Sequence, residues 1–312
     1  MGEAGFIAGD WGTSHLRLHL CDANGASLDT REGPGAADLN GGFGDAFDSL
    51  TAQWEEARGQ LPVVLCGMVG SSIGWVQAPY VPCPAMPDQI VDACVALRGG
   101  RIHIVPGLSC RNRFDAPDFL RGEETQILGA LNLVPSLRQG CRLLCHPGTH
   151  TKWMLLQDGR IREFLTAPTG EVFALLRDHS VLVRKPDGAG TALDANAFKE
   201  ALTYFGRFPH AQLLHRLFEC RSRRLSGELA AQTTDAYMSG LLIASDVLGA
   251  LRLLSDSISA RSVVLIGSPE LTRLYAIALA AEGCEASEID GAQASLAGLV
   301  HVRQRLSQSV TA

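Results

Sequence analysis

The sequence has no surplus of positive charge. Its 27 Lys and Arg stand against 33 Asp and Glu, a balance of −6 over 312 residues. That excludes a broad nucleic-acid surface. No unbroken apolar run reaches the ~18 residues of a membrane span; the longest, near Leu241, is interrupted by Asp246. The N-terminus lacks a basic stretch followed by an apolar one, so no secretory leader is expected. The nine cysteines are odd in number and scattered, with no disulfide framework, which fits reduced thiols in a cytoplasmic protein. Cys141-x3-Cys145-His146 has no second ligand pair at a finger-like spacing, so zinc is not expected there. Also missing are a G-x4-G-K-[ST] phosphate loop, a third glycine after Gly188-Ala-Gly190, a G-x-S-x-G elbow and an H-E-x-x-H helix. If this chain handles a nucleotide, it does so without a standard fingerprint.

What is present is an ordinary globular composition, 46% hydrophobic and 19% charged, at a length that favours about two domains. Residues 6–8 are a short apolar run, and Leu16, Leu18 and Leu20 then alternate with His15, Arg17 and His19. Period-2 alternation predicts a half-buried strand, so Asp10 sits where one strand turns into the next. A third strand is expected over 26–32, helices over 46–58 and 88–97, and strands over 62–66 and 102–105. The polar, Arg-containing stretch 109–118 is the expected domain boundary, dividing the chain into 1–118 and 119–312. A second round follows: a helix over 122–132, a strand over 142–145, a turn, and a hairpin through Asp158-Gly159. Residues 192–255 are expected to be mainly helical, and the chain closes with strand, helix, strand, helix. This alternation predicts an α/β fold with ligands at the carboxyl ends of strands. The hairpin turn after an apolar strand occurs in both halves, so the architecture repeats although the sequence does not.

Three turns could hold phosphate. Asp10–Ser14 offers Gly12, Thr13 and Ser14 for an anion and a carboxylate for Mg²⁺; a plain polar hairpin turn is the alternative. HPGTHTK (146–152) brings Gly148, Thr149 and Lys152 to a second strand-to-hairpin turn, with an ordinary loop as the alternative. Gly267-Ser268 lies between an apolar strand and a helix whose N–H groups could meet a nucleotide. In RGEETQILGALNL (121–133), Ile127, Leu128, Leu131 and Val134 form an apolar helical face, which puts Glu123 and Glu124 in the first turn. The macrodipole alone favours acids there. A carboxylate so placed can also take a hydroxyl proton during attack on a γ-phosphoryl group.

These segments resemble the sugar-kinase branch of the actin/hexokinase/Hsp70 superfamily, and more closely the 2-dehydro-3-deoxygalactonokinase family. The resemblance is carried by GDWGTSHLRLHL (9–20), CGMVGSSIGW (66–75), IVPGL (104–108), RGEETQILGA (121–130), HPGTHTKWM (146–154), APTGEVFALLRDHS (167–180) and SGLLIASDV (239–247). They keep their order over nearly the whole chain. The resemblance implies two ribonuclease-H-like, actin-like ATPase domains with an interdomain cleft, Mg-ATP as donor and a 2-keto-3-deoxy sugar acid as acceptor, phosphorylated at C6. It implies Asp10 and Thr13 in the first phosphate turn and Gly148, Thr149 and Lys152 in the second. Glu123 stands where related sugar kinases carry a catalytic Asp after Gly, leaving Glu124 as a structural residue or one that orients its neighbours. Ser71, Ser72 and Trp75 are candidates for the acceptor pocket, with Trp75 equally readable as core. Arg111, Arg113 and Arg121 are candidates for the acceptor carboxylate, with a solvated loop as the alternative. Two departures stand out. The second turn lacks the superfamily's usual Asp, so Mg²⁺ leans on Asp10 and water, and the adenosine turn has Gly267-Ser268 in place of paired glycines. The rival expectations are a kinase for the gluconate-derived epimer and an actin- or chaperone-like ATPase. A homodimer is left open.

Overall fold

A computed structural model describes residues 4–183, 193–208, 210, 212–254 and 261–311; Gly188-Ala-Gly190 lies outside them. The chain forms two compact units. The first comprises Met1–Gly140, Leu156–Phe164 and Ile289–Ala312, and the second Cys141–Leu155 and Leu165–Glu288.

In chain order the first part contributes β1 (Ala4–Trp11), β2 (His15–Asp22), β3 (Ser27–Pro34), α1 (Phe43–Arg58), β4 (Val63–Gly67), β5 (Tyr80–Pro82), α2 (Pro87–Asp92), β6 (Val95–Leu97), β7 (Ile102–Ile104), β8 (Gly107–Arg111), β9 (Pro117–Leu120) and α3 (Glu123–Leu133). Then come β10 (Cys141–His146), β11 (Thr151–Gln157), β12 (Arg160–Ala167), α4 (Thr169–His179), α5 (Ala195–Arg207), α6 (Leu213–Leu217), α7 (Glu219–Ser226), α8 (Thr234–Leu254), β13 (Ser262–Gly267), α9 (Pro269–Ala281), β14 (Glu285–Asp290) and α10 (Gly291–Thr311).

The two main sheets run β3-β2-β1-β4-β7-β6 and β12-β11-β10-β13-β14. In each, three sequential strands lie side by side, and the next strand to join pairs parallel with the first of them, β4 with β1 and β13 with β10. This is the ribonuclease-H-like order, present twice. The first meander is antiparallel, and its period-2 pattern buries Leu16, Leu18 and Leu20 against Ile7, Phe47 and Leu65. In the second, Asp158 and Gly159 both take positive φ (51° and 76°), the turn geometry that matches the twist of a two-residue hairpin.

Three expectations change. The helix expected over 88–97 is the short α2 alone, and Val95–Leu97 instead pairs antiparallel with β7; an apolar run this short satisfies either period, and an open sheet edge decides it. The stretch 109–118 is no linker: it makes up most of the β8–β9 hairpin, with the Asn112 amide bonded to the Ala116 carbonyl. The contact-defined units do not divide at 118/119, because α3 packs against α10 from the far end of the chain. Residues 231–254 are long and apolar enough to cross a membrane. In this fold α8 is the central helix of the second core, with Tyr237, Met238, Leu241 and Val247 fully buried.

Candidate active site

Asp10 is the penultimate residue of β1 in the first unit, opposite Arg17 of β2 and Cys66 of β4. The turn after it is tight: the Gly12 amide bonds to the His15 carbonyl at 2.8 Å. The carbonyls of Gly12 and Thr13 accept from Ala36 and Ala37, each at 3.0 Å. Both carbonyls are thereby held against the chain behind the turn, while the Thr13 and Ser14 side chains stand in solvent. The Asp10 carboxylate accepts from the Ser295 hydroxyl of α10, 2.8 Å from Oδ2.

The acidic start of α3 meets the same sheet edge. Gly122 takes φ 105°, a conformation open to glycine at little cost, and this turns the chain from β9 into α3. A Cβ on Gly122 would stand 3.6 Å from the Cα of Gly67, the last residue of β4, and a Cβ on Gly67 would stand 3.3 Å from Asp10 Oδ1. The two glutamates then part company. Glu123 is half-buried, with Oε2 accepting from the Arg121 amide at 3.1 Å. Glu124 is fully buried and accepts from the Gly122 amide at 2.6 Å and the Thr125 hydroxyl at 3.0 Å. Burial, reinforced by the neighbouring Glu123 charge, pushes the Glu124 carboxyl up to about 8. At neutral pH it is mainly a neutral acid. Cys66 lies in the same cluster, and burial with the Asp10 and Glu124 charges nearby pushes its thiol up, so it is no nucleophile.

The other acceptor candidates separate in the first unit. The Arg121 guanidinium lies 4.4 Å over the Tyr80 ring and donates from Nη2 to the Ala78 carbonyl at 2.9 Å. Its Nε and Nη1, and the Ser71 hydroxyl, are buried with no hydrogen-bond partner among the described residues. A Cβ on Gly70 would stand 2.8 Å from Nη1, so these donors lie along one short stretch of the Gly67–Ser72 turn. Orphaned buried donors of this kind call for a ligand or water. Ser72 is exposed beside them. Trp75 packs edge-on to Trp11 at 6.4 Å and against Phe47 at 5.8 Å, under the Arg98 guanidinium, which favours the core reading. Arg111 pairs with Asp115 in its own hairpin, exposed to water, and Arg113 pairs with Glu163 at 2.8 Å.

In the second unit, the other two turns come together. Gly148 and Thr149 pack under the start of α4: a Cβ on Gly170 would overlap the Gly148 carbonyl, and the Glu171 amide bonds to the Thr149 carbonyl at 2.9 Å. His150 Nε2 and Glu171 Oε2 close the arrangement at 2.6 Å. A Cβ on Gly267 would stand 3.5 Å from the Pro147 carbonyl, which places the Gly267-Ser268 turn beside the 146–152 turn. Ser268 precedes Pro269 at the start of α9, where the Glu270 and Leu271 N–H groups have no carbonyl of the helix to bond to. Lys152 is buried, its Nζ donating to Thr166 Oγ1 at 2.8 Å. A cavity of about 190 Å³ opens here, almost wholly apolar, bounded by Gly148, Gly170, Phe173, Leu242, Leu271 and Tyr275.

Behind that cavity stands Asp246, known from the sequence only as the break in an apolar run. It accepts from Trp153 Nε1 at 2.8 Å, Thr169 Oγ1 at 2.7 Å and the Tyr275 hydroxyl at 2.6 Å. Its carboxylate thereby fixes the first residue of α4 and, through it, the second turn. A lone carboxylate in an apolar helix was the available signal. Ser295 had none, since 285 positions separate it from Asp10.

The 2-keto-3-deoxy-galactonokinase family model matches residues 10–302. A Rhizobium meliloti (strain 1021) protein assigned as a 2-dehydro-3-deoxygalactonokinase is 38% identical over 306 residues, covering 96% of this chain and 97% of its own. The Escherichia coli (strain K12) 2-dehydro-3-deoxygalactonokinase is 34% identical over 300 residues, covering 95% and 96%. A crystal structure of a Sinorhizobium meliloti protein assigned to the same activity superposes with a TM-score of 0.85 at 36% identity, covering 96% of this chain and 99% of its own. With two ribonuclease-H-like units and a match running almost end to end, this chain belongs to the 2-keto-3-deoxy-galactonokinase family.

Proposed function

We propose that this protein transfers the γ-phosphoryl group of ATP to the C6 hydroxyl of 2-dehydro-3-deoxy-D-galactonate, in the reducing cytoplasm where its nine free thiols persist. Family membership supports the reaction class. The observation that carries the site assignment is the approach of the α3 start to Gly67 and Asp10 at the carboxyl ends of β1 and β4. In sheets of this kind, ligands bind outside those ends.

From the first unit, Thr13, Ser14 and the Gly12 turn receive phosphate oxygens, and Arg121 with Ser71 takes the acceptor carboxylate, filling donors that otherwise go unmatched. Glu123 accepts the C6 hydroxyl proton as that oxygen attacks. Glu124 is unsuited to this step, being already protonated near neutral pH and sealed from solvent. From the second unit, Gly148 and Thr149 receive phosphate oxygens, and the adenine ring enters the apolar cavity with the α9 N-terminus facing the nucleotide.

Mg²⁺ fits this donor set in one specific mode. Among the described residues no three His, Cys, Asp or Glu side chains could jointly hold a metal ion. Mg²⁺ in kinases characteristically relies on one or two carboxylates plus substrate phosphates and waters. Asp10 is that single carboxylate, and the ion would supply charge neutralisation for the phosphates. The test is a coupled ADP-release assay over a panel of aldonic and 2-keto-3-deoxy acids. The expected result is release dependent on 2-dehydro-3-deoxy-D-galactonate, with the new phosphate at C6 by NMR. ADP release independent of any sugar acid would mark an ATPase and overturn the proposal.

A further inference from the structure

We infer that Ser295, on the C-terminal helix α10, is a positioning residue that sets the orientation of the Asp10 carboxylate toward Mg²⁺; this rests on the reading of Asp10 given above. Ser295 is 4% exposed, and its hydroxyl donates to Asp10 Oδ2 at 2.8 Å. The same hydroxyl lies 3.9 Å from Cys66 Sγ. A carboxylate torsion is soft and roughly two-fold. A charge-assisted hydrogen bond from a rigid element restricts it.

The rigidity of that element is visible in the packing. A Cβ on Gly129 of α3 would overlap the Ala294 carbonyl, and one on Gly298 of α10 would overlap the Thr125 carbonyl. The two helices therefore meet backbone to backbone, and neither can slide without a collision. Ala294, Ser295 and Gly298 lie at the spacing of one helix face, so the crossing that admits Gly298 also aims Ser295. The same α3 carries Glu123. One helix crossing thus sets both the proposed base and the hydroxyl that holds the proposed metal carboxylate. Octahedral Mg²⁺ is demanding of ligand direction, so loss of this one contact should be felt at the metal first.

The experiment measures ATP binding by calorimetry across a Mg²⁺ series and in EDTA, together with kcat, for the wild type, Asp10→Asn, Ser295→Ala, Ser295→Thr and Asp10→Asn/Ser295→Ala. Ser295→Ala should raise the Mg²⁺ concentration that half-maximally tightens ATP binding by about tenfold, the scale of one hydrogen bond to a charged group. ATP affinity in EDTA should not change. Ser295→Thr, which keeps the hydroxyl, should stay within about threefold of wild type. In the Asp10→Asn background the alanine change should add nothing. If Asp10→Asn leaves the Mg²⁺ dependence intact, the reading of Asp10 fails and this inference with it. If Asp10→Asn shifts it while Ser295→Ala does not, only the inference fails. An effect of Ser295→Ala that is equal in EDTA, that is additive with Asp10→Asn, or that Ser295→Thr shares would likewise overturn it, since each points to packing rather than to the carboxylate.

Discussion

Glu124 in the first unit and Asp246 in the second are both carboxyl groups drawn out of bulk water beside a proposed phosphate turn, yet their surroundings treat them differently. Glu124 receives the Gly122 amide, its own amide and the Thr125 hydroxyl and faces a like charge, Glu123, and burial pushes the group up to about 8. Asp246 is also pushed up by burial, but Tyr275, Thr169, Trp153 and Thr151 all oppose the rise by bonding to its charged form. Burial raises both groups, but more side-chain donors oppose it at Asp246, which is thereby tied to three separate elements of its unit. In the first unit, the neighbouring Glu123, the proposed base, is the carboxyl left with solvent access.

The largest effect should come from testing that division of labour directly. Glu123→Gln is expected to lower kcat by about 10²–10⁴-fold with little change in the KM for ATP, the range for removing a positioned base. Glu124→Gln, which mimics the neutral acid, should cost less than about tenfold. Steady-state kinetics decide it, and a reversed order would mean that the buried carboxyl does the chemistry.

Next in size is the clamp. Asp246→Ala leaves the Trp153, Thr169 and Tyr275 donors unmatched and should destabilise the protein by about 2–4 kcal/mol in urea denaturation. Asp246→Asn keeps an acceptor for Trp153 and should lose about half of that. A change under about 0.5 kcal/mol for the alanine variant would show that the donors find water instead and that the contrast with Glu124 is empty.

Two glycines sharpen the comparison at the level of helices. Gly298→Ala must push α10 from α3 and should destabilise by about 1–3 kcal/mol. Gly249→Ala, on α8 with no atom of the described residues beyond the helix's own backbone within 4 Å of the new methyl, should be neutral or stabilising by up to about 1 kcal/mol through helix propensity. Thermal denaturation of both variants checks the pair; equal effects would mean that the tight crossing is not what holds α10.

The last effect is a matter of pH. Because the folded protein holds the Glu124 proton more tightly than the unfolded chain, the stability this gives is complete below about pH 4.5 and is lost as pH rises through about 8. Glu124→Gln has no proton to lose and should flatten that decline by at least ~1 kcal/mol across the window. Denaturation midpoints from pH 5 to 8 test it, and parallel curves for the two proteins would argue that Glu124 is already ionised when folded.

Local chemistry decided much by itself. The alternation of Leu16, Leu18 and Leu20, the Asp158-Gly159 hairpin, the acidic start of α3 and the apolar α8 follow from periodicity, turn preference and dipole, which act within a few residues and are legible in order along the chain. The same local rules could not tell Val95–Leu97 as strand from helix, because an open edge on β7 made the choice. Nor could they separate Glu123 from Glu124. Adjacent residues on a helix share composition and dipole, and only tertiary packing, which brings Cys66 of β4 near Glu124, seals one while leaving the other in reach of solvent. Arg121 differs from Arg111 and Arg113 for the same reason: its environment is assembled from Tyr80, Ala78 and the Gly67–Ser72 turn, all distant in sequence. Ser295 is the extreme case. A hydroxyl has no intrinsic preference for a carboxylate 285 positions away, and it acquires one only because two glycines let α3 and α10 touch at the backbone.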